Sequence, residues 1–87
     1  MQLKRKKGLF WRRMFDRVIV LDPHSEELFH FMGSSEAIWN LFDVSRSPDE
    51  AVGRLAQELG LEVAEIAGDV KAFIDDLRRR DLLEPVP

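Results

Sequence analysis

Along the 87 residues, apolar positions recur with a period near two as far as Met32 and with a spacing of three to four beyond Gly33. This change divides the chain into a strand half and a helix half. Gly8 to Met14 mixes large apolar and basic residues and fits a first strand whose outer edge is guarded by charge. Arg17-Val18-Ile19-Val20-Leu21-Asp22 is a β-branched run too short for a helix and bounded by Asp16 and Asp22-Pro23, which makes it the central strand. Asp22-Pro23-His24-Ser25 supplies a turn, because proline presets φ and aspartate bonds back to the backbone. The chain then reverses into Glu27–Met32, a third strand with Phe29 and Phe31 on one face and Leu28, His30 and Met32 on the other.

Beyond Gly33, Ser34 or Ser35 is expected to cap a helix that buries Ala37, Ile38, Leu41 and Phe42, with Trp39 as a core anchor beside them. Ser47-Pro48-Asp49-Glu50 is the clearest start in the chain. Serine caps, proline suits the first helical position, and Glu50 three residues on completes a capping box. Ala51, Val52, Leu55, Ala56 and Leu59 form the buried face of this second helix, and Gly60 stops it. A third helix runs from Val63 to Arg80 on Val63, Ile66, Val70, Phe73, Ile74 and Leu77, and closes with Arg78-Arg79-Arg80, where cations suit the negative end of the helix dipole. Leu82 and Leu83 fold back onto the core. The expected class is α+β, a three-stranded antiparallel sheet followed by a three-helix unit, resembling a winged helix-turn-helix.

Composition narrows the function. A hydrophobic content of 45% is too high for a disordered chain, and one domain of this size buries about 60–65% of the surface its unfolded form exposes. The absence of cysteine excludes disulfides, thiolate metal sites and cysteine nucleophiles, and suits a reducing cytoplasm. No apolar run approaches the about 20 residues that cross a bilayer, and no secretory signal follows the basic start, so neither membrane nor export is expected. Neither histidine is paired at a recognisable spacing with a serine, carboxylate or metal-ligand cluster, and no glycine-rich phosphate loop occurs. An enzyme is not expected, and no cofactor or metal is called for.

Charge is unevenly spread. Residues 1–17 carry seven basic side chains against Asp16 alone, a net +6, while the remaining 70 residues carry −9, giving −3 for the chain. Two accounts of the basic arm stand. Residues 1–7 are a flexible solubilising tail ahead of one domain at 8–84 and a loose end at 85–87, or the arm makes a salt-sensitive contact with an acidic peptide or partner enzyme. The winged-helix pattern raises DNA binding as the alternative function. The third helix, however, presents Glu62, Glu65, Asp69, Asp75 and Asp76 against Lys71 alone, the wrong sign for a duplex.

The third strand carries the functional question. An edge strand is ordinarily blunted by lysine, proline or a bulge, and this one offers only Glu27 and His30. The protein's own helices or a second copy cover it, or a segment of another chain pairs with it as a fourth strand.

Several stretches at these spacings resemble the PqqD-like proteins, also called RiPP recognition elements, which serve in making ribosomal peptides that are later modified. They are Val18-Ile19-Val20-Leu21-Asp22, Leu28-Phe29-His30-Phe31-Met32, Ser35-Glu36-Ala37-Ile38-Trp39-Asn40-Leu41, Ser47-Pro48-Asp49-Glu50-Ala51-Val52 with Leu55, and Gly68 to Leu77 with Leu82-Leu83. The similarity covers residues 8–84. Met32 stands where the family commonly has asparagine, Asp43-Val44 where Asp-Gly is frequent, and Asp81 where glycine is usual.

The resemblance implies that the leader of a precursor peptide adds as a strand to the third strand, its side chains held between that strand and the third helix. Carried over by position, the leader-binding residues are Leu28, Phe29, His30, Phe31 and Met32 on the strand, and Asp69, Val70, Phe73, Ile74 and Leu77 on the helix. Periodicity does not divide the helix residues between cleft and core. The implied partners are the precursor peptide and a modifying enzyme: a leader peptidase and cyclase of a split lasso-peptide system, or a radical S-adenosylmethionine enzyme as in pyrroloquinoline quinone assembly.

Overall fold

The computed structural model describes residues 1–87, in the order β1 (Gln2–Arg5), β2 (Phe10–Met14), β3 (Arg17–Asp22), β4 (Glu27–Met32), α1 (Ser34–Leu41), α2 (Pro48–Leu59), α3 (Val63–Arg79) and β5 (Leu83–Val86). The α+β class and the three-stranded antiparallel sheet stand as expected. β3 lies at the centre, β2 and β4 at its edges.

Strand alternation builds the core. Val18, Val20, Phe29 and Phe31 face inward, and the helices close over them with Ile38, Trp39, Val52, Leu55, Val70, Ile74 and Leu77. The turn after β3 forms as its chemistry predicts: the Asp22 carboxylate accepts from the His24 N–H at 2.9 Å. That bond is the chief reason the Asp22 pKa lies below the ordinary carboxylate value, burial opposing it. At α2 the capping box is complete. Glu50 N–H donates to Ser47 Oγ at 3.1 Å, Ser47 N–H donates to Glu50 Oε1 at 2.9 Å, and Gly60 ends the helix in the left-handed region at φ 66°.

Two expectations about local structure are corrected. Neither Ser34 nor Ser35 caps α1; Gly33 does, at φ 60° and with no side-chain bond, because the chain turns sharply out of β4. Residues 1–7 are not a free tail either. Gln2–Arg5 pairs antiparallel with Leu83–Val86, which also draws in residues 85–86 that were expected to be loose. Leu3 is fully buried and exchanges both backbone bonds with Arg46, at 2.8 and 2.9 Å. The Arg5 guanidinium lies between the Trp11 and Trp39 rings, 4.7 and 4.8 Å from their centroids, and donates to the Trp39 carbonyl. Lys6 pairs with Asp81. The basic arm therefore ties the two ends of the chain to the helical unit.

Leu3→Ala is expected to cost about 2–4 kcal/mol of unfolding free energy in a urea titration, as for a truncated core leucine; an unchanged midpoint would restore the tail. A second expectation concerns pH. The Gln2 side-chain amide, at 2.8 Å, and the Ser47 N–H lower the Glu50 pKa. A depressed carboxylate contributes stability that is present above its ordinary value of 4.5 and lost as pH falls through the lowered one. Glu50→Gln should therefore flatten the loss of thermal stability below about pH 4.5 relative to the native protein.

Candidate peptide-binding site

The turn between β2 and β3 determines what β4 offers. Phe15 and Asp16 form a two-residue loop between paired Met14 and Arg17, and such a loop closes on a pair that exchanges both backbone bonds. Arg17, Ile19 and Leu21 therefore direct their N–H and C=O groups to β2, and Val18, Val20 and Asp22 direct theirs to β4. Their partners there are Phe31, Phe29 and Glu27. Leu28, His30 and Met32 consequently turn their backbone groups away from β3, to an edge on which no strand of the protein pairs.

Beside that edge lies a cleft of about 330 Å³ between β4 and α3. Phe29 and Phe31 form its floor. Phe31 stacks on Trp39 at 5.6 Å and meets Phe73 of α3 edge-on at 5.9 Å, so the ring that faces the cleft is fixed from behind. Arg80 closes one end, its guanidinium 5.7 Å from the Phe29 ring and 2.9 Å from Asp76. Past Phe73 and Ser35 a second hollow of about 270 Å³ continues between the helices, over Ile38, Leu55, Ile66 and Val70, with Asp69 at its rim. The two together make a mainly apolar groove beside a free strand edge, a form suited to an extended peptide. A larger hollow, of about 650 Å³, is lined by Arg13, Glu36, Arg46, Arg54 and Glu58 and offers little apolar seat.

Leu28, Phe29, His30, Phe31 and Phe73 line the first hollow, and Asp69 and Val70 line the second. Met32 lies on the free edge with its side chain about half exposed, outside the cleft lining. Ile74 and Leu77 do not reach the groove. Both are fully buried, because they occupy the face of α3 that packs on the core. Ser35, Asp76 and Arg80 also line the first hollow, beyond the residues the sequence points to. Residues 69, 73, 76 and 80 share one helical stripe, a spacing that is the signal for Asp76 and Arg80, although the helix dipole by itself accounts for a cation at Arg80.

The face of α3 that a winged-helix regulator would offer to DNA carries carboxylates, and Lys71 is paired with Asp49 at 2.7 Å. This does not support a duplex partner. No cluster of His, Cys, Asp or Glu that could hold a metal ion is present, and no helix is long and apolar enough to cross a membrane.

A fold of three antiparallel strands followed by three helices, with an unpaired edge beside the last helix, defines the class. The chain belongs to the PqqD family: the profile of coenzyme PQQ synthesis protein D (PqqD) matches residues 17–83. Among curated proteins none matches. The fold is similar to that of TbiB1, solved in complex with the TbiA(beta) leader peptide, with a TM-score of 0.83, 21% identity, and coverage of 97% of this chain and 98% of that one.

If the helix residues divide as described, Arg80→Ala should leave unfolding free energy within about 1 kcal/mol of the native value. Ile74→Ala should lower it by about 2–5 kcal/mol. Equal costs for the two in chemical denaturation would contradict the division into cleft wall and core.

Proposed function

We propose that this protein binds the leader segment of a ribosomally synthesised precursor peptide as a fourth strand on β4 and presents it to a peptide-modifying enzyme, making no chemical change itself. The observation that carries this reading is the row of outward backbone groups at Leu28, His30 and Met32 beside an apolar groove. An added strand takes affinity from those main-chain groups and specificity from the side chains it sets into the groove at alternate positions. Membership of the PqqD family supports the reading, as does a similar fold solved with a leader peptide on it. The phenylalanine floor is held by Trp39 and Phe73 before any peptide arrives, so little ordering is needed on the protein side.

The enzyme served is a leader peptidase with its cyclase, as in a split lasso-peptide system, or a radical S-adenosylmethionine enzyme acting on the peptide in the cytoplasm. The leader contacts are Leu28, Phe29, His30, Phe31 and Met32 through β4, and Asp69, Val70 and Phe73 through α3. Asp76 and Arg80 join them at the end of the cleft.

His30 is the most informative residue because its N–H lies at the middle of the free edge. Proline there removes a donor that no strand of the protein uses, so the fold should persist. His30→Pro should weaken binding of the leader encoded beside the gene by about tenfold or more in a fluorescence anisotropy titration, while His30→Ala, which keeps the N–H, largely retains it. Undiminished binding by His30→Pro would argue against strand addition through that residue.

A further inference from the structure

Of the basic run Lys4-Arg5-Lys6-Lys7, Arg5 alone turns its charge onto aromatic rings. The reason lies at the end of α1. Its last turn carries no basic residue, and Asp43 just beyond has the wrong sign for the negative end of the helix dipole. Arginines from outside the helix supply what is missing. Arg46 Nε donates to the Leu41 carbonyl at 2.6 Å, and Arg5 Nε and Nη2 donate to the Trp39 carbonyl at 3.3 and 3.2 Å. The Arg5 backbone N–H donates to the Phe42 carbonyl at 3.3 Å, and its pairing with Leu83 fixes it on β1. A residue near one end of the chain thus caps a helix in its middle.

The same guanidinium lies against the Trp39 ring, which supports the floor of the cleft. Trp39 is fully buried and its Nε1 has no hydrogen-bond partner in the protein, so no polar bond fixes the ring. Its orientation rests on what packs against it, including Arg5 at 4.8 Å and Phe31 stacked at 5.6 Å. Burial is the chief reason the Arg5 pKa lies below its ordinary value, Asp43 opposing it, and a cation stripped of part of its water is held more strongly by an aromatic face. Arg5 itself lines neither hollow of the groove.

We infer that Arg5 is a positioning residue for the leader site: it holds the Trp39 ring, and through it the Phe31 ring that floors the cleft, without touching the leader. The inference rests on the reading of the β4–α3 groove as the leader site. Arginine suits the task because its planar fork reaches a carbonyl and stacks on a ring at once, whereas lysine keeps the charge and loses the fork. The coupling is reciprocal: what Arg5 adds to leader affinity, bound leader adds to the hold on Arg5.

Arg5→Met keeps the length of the side chain and removes the charge, and Arg5→Lys keeps the charge alone. The probe is the leader peptide encoded beside the gene, titrated by anisotropy at a temperature where circular dichroism shows each variant folded. Arg5→Met should weaken leader binding by about fivefold or more, and Arg5→Lys by less than Arg5→Met. In the leader-free protein the Phe31 ring-proton resonances should move in Arg5→Met, which a loss of global stability alone does not produce. In the native protein, saturating leader should slow solvent exchange of the Arg5 Nε proton by about fivefold or more, a readout that stands even where Arg5→Met does not fold. Three results would overturn the inference: leader affinity of folded Arg5→Met within about twofold of native, Phe31 ring resonances unchanged in that variant, or Nε exchange in the native protein unaffected by saturating leader. A native protein that fails to bind the leader, with the Phe31 resonances displaced in Arg5→Met, would remove the leader-binding function and leave the hold of Arg5 on Phe31 standing.

Discussion

Everything on the functional side of this molecule depends on the parity of one central strand. Because β3 bonds to β2 through Arg17, Ile19 and Leu21, it must bond to β4 through Val18, Val20 and Asp22. The same alternation sends Val18 and Val20 into the core and Ile19 and Leu21 outward. One geometric rule therefore separates three surfaces of a small sheet: an inner face that folds the protein, an outer face that stays apolar and exposed, and an edge with free backbone groups. A one-residue slip of β4 against β3 would exchange Phe29 and Phe31 for His30 and Leu28 in the core. Burial of the two phenylalanines holds the register, and with it the set of free amides.

The helices convert that edge into a groove. α3 presents Ile74 and Leu77 to the core and Phe73 and Asp76 to the cleft, with Arg80 at its C-terminal cap beside them, so one helix both closes the fold and walls the cleft. The N-terminal strand acts at a distance from it. Arg5 braces Trp39, on which Phe31 stacks, so the floor of the cleft is linked through that ring to the clasp formed by both ends of the chain.

Much of this was legible in the sequence. The β-branched run at 17–22, the capping box at Ser47–Glu50 and the stripe of α3 each repeat a local rule often enough to be read, and the under-guarded Glu27–Met32 edge already posed the question of what pairs with it. The clasp was not legible. Leu3 is one apolar residue in a basic run, and its partners lie at Arg46 and at the other end of the chain, so no periodicity announces it. Gly33 displaced the serines as cap of α1 because the path of the chain out of β4 decides that turn. The division of α3 also waited on structure: spacing places Phe73 and Ile74 side by side, and only the position of β4 shows that one reaches the groove and the other does not.

The central claim is strand addition at β4, and amide hydrogen exchange of residues 27–32 with and without the leader peptide tests it most directly. Glu27, Phe29 and Phe31 are bonded to β3 in the free protein, whereas Leu28, His30 and Met32 face solvent. On binding, the second set should slow by about tenfold or more while the first changes little. Leader binding that leaves Leu28, His30 and Met32 exchanging as in the free protein would contradict the account.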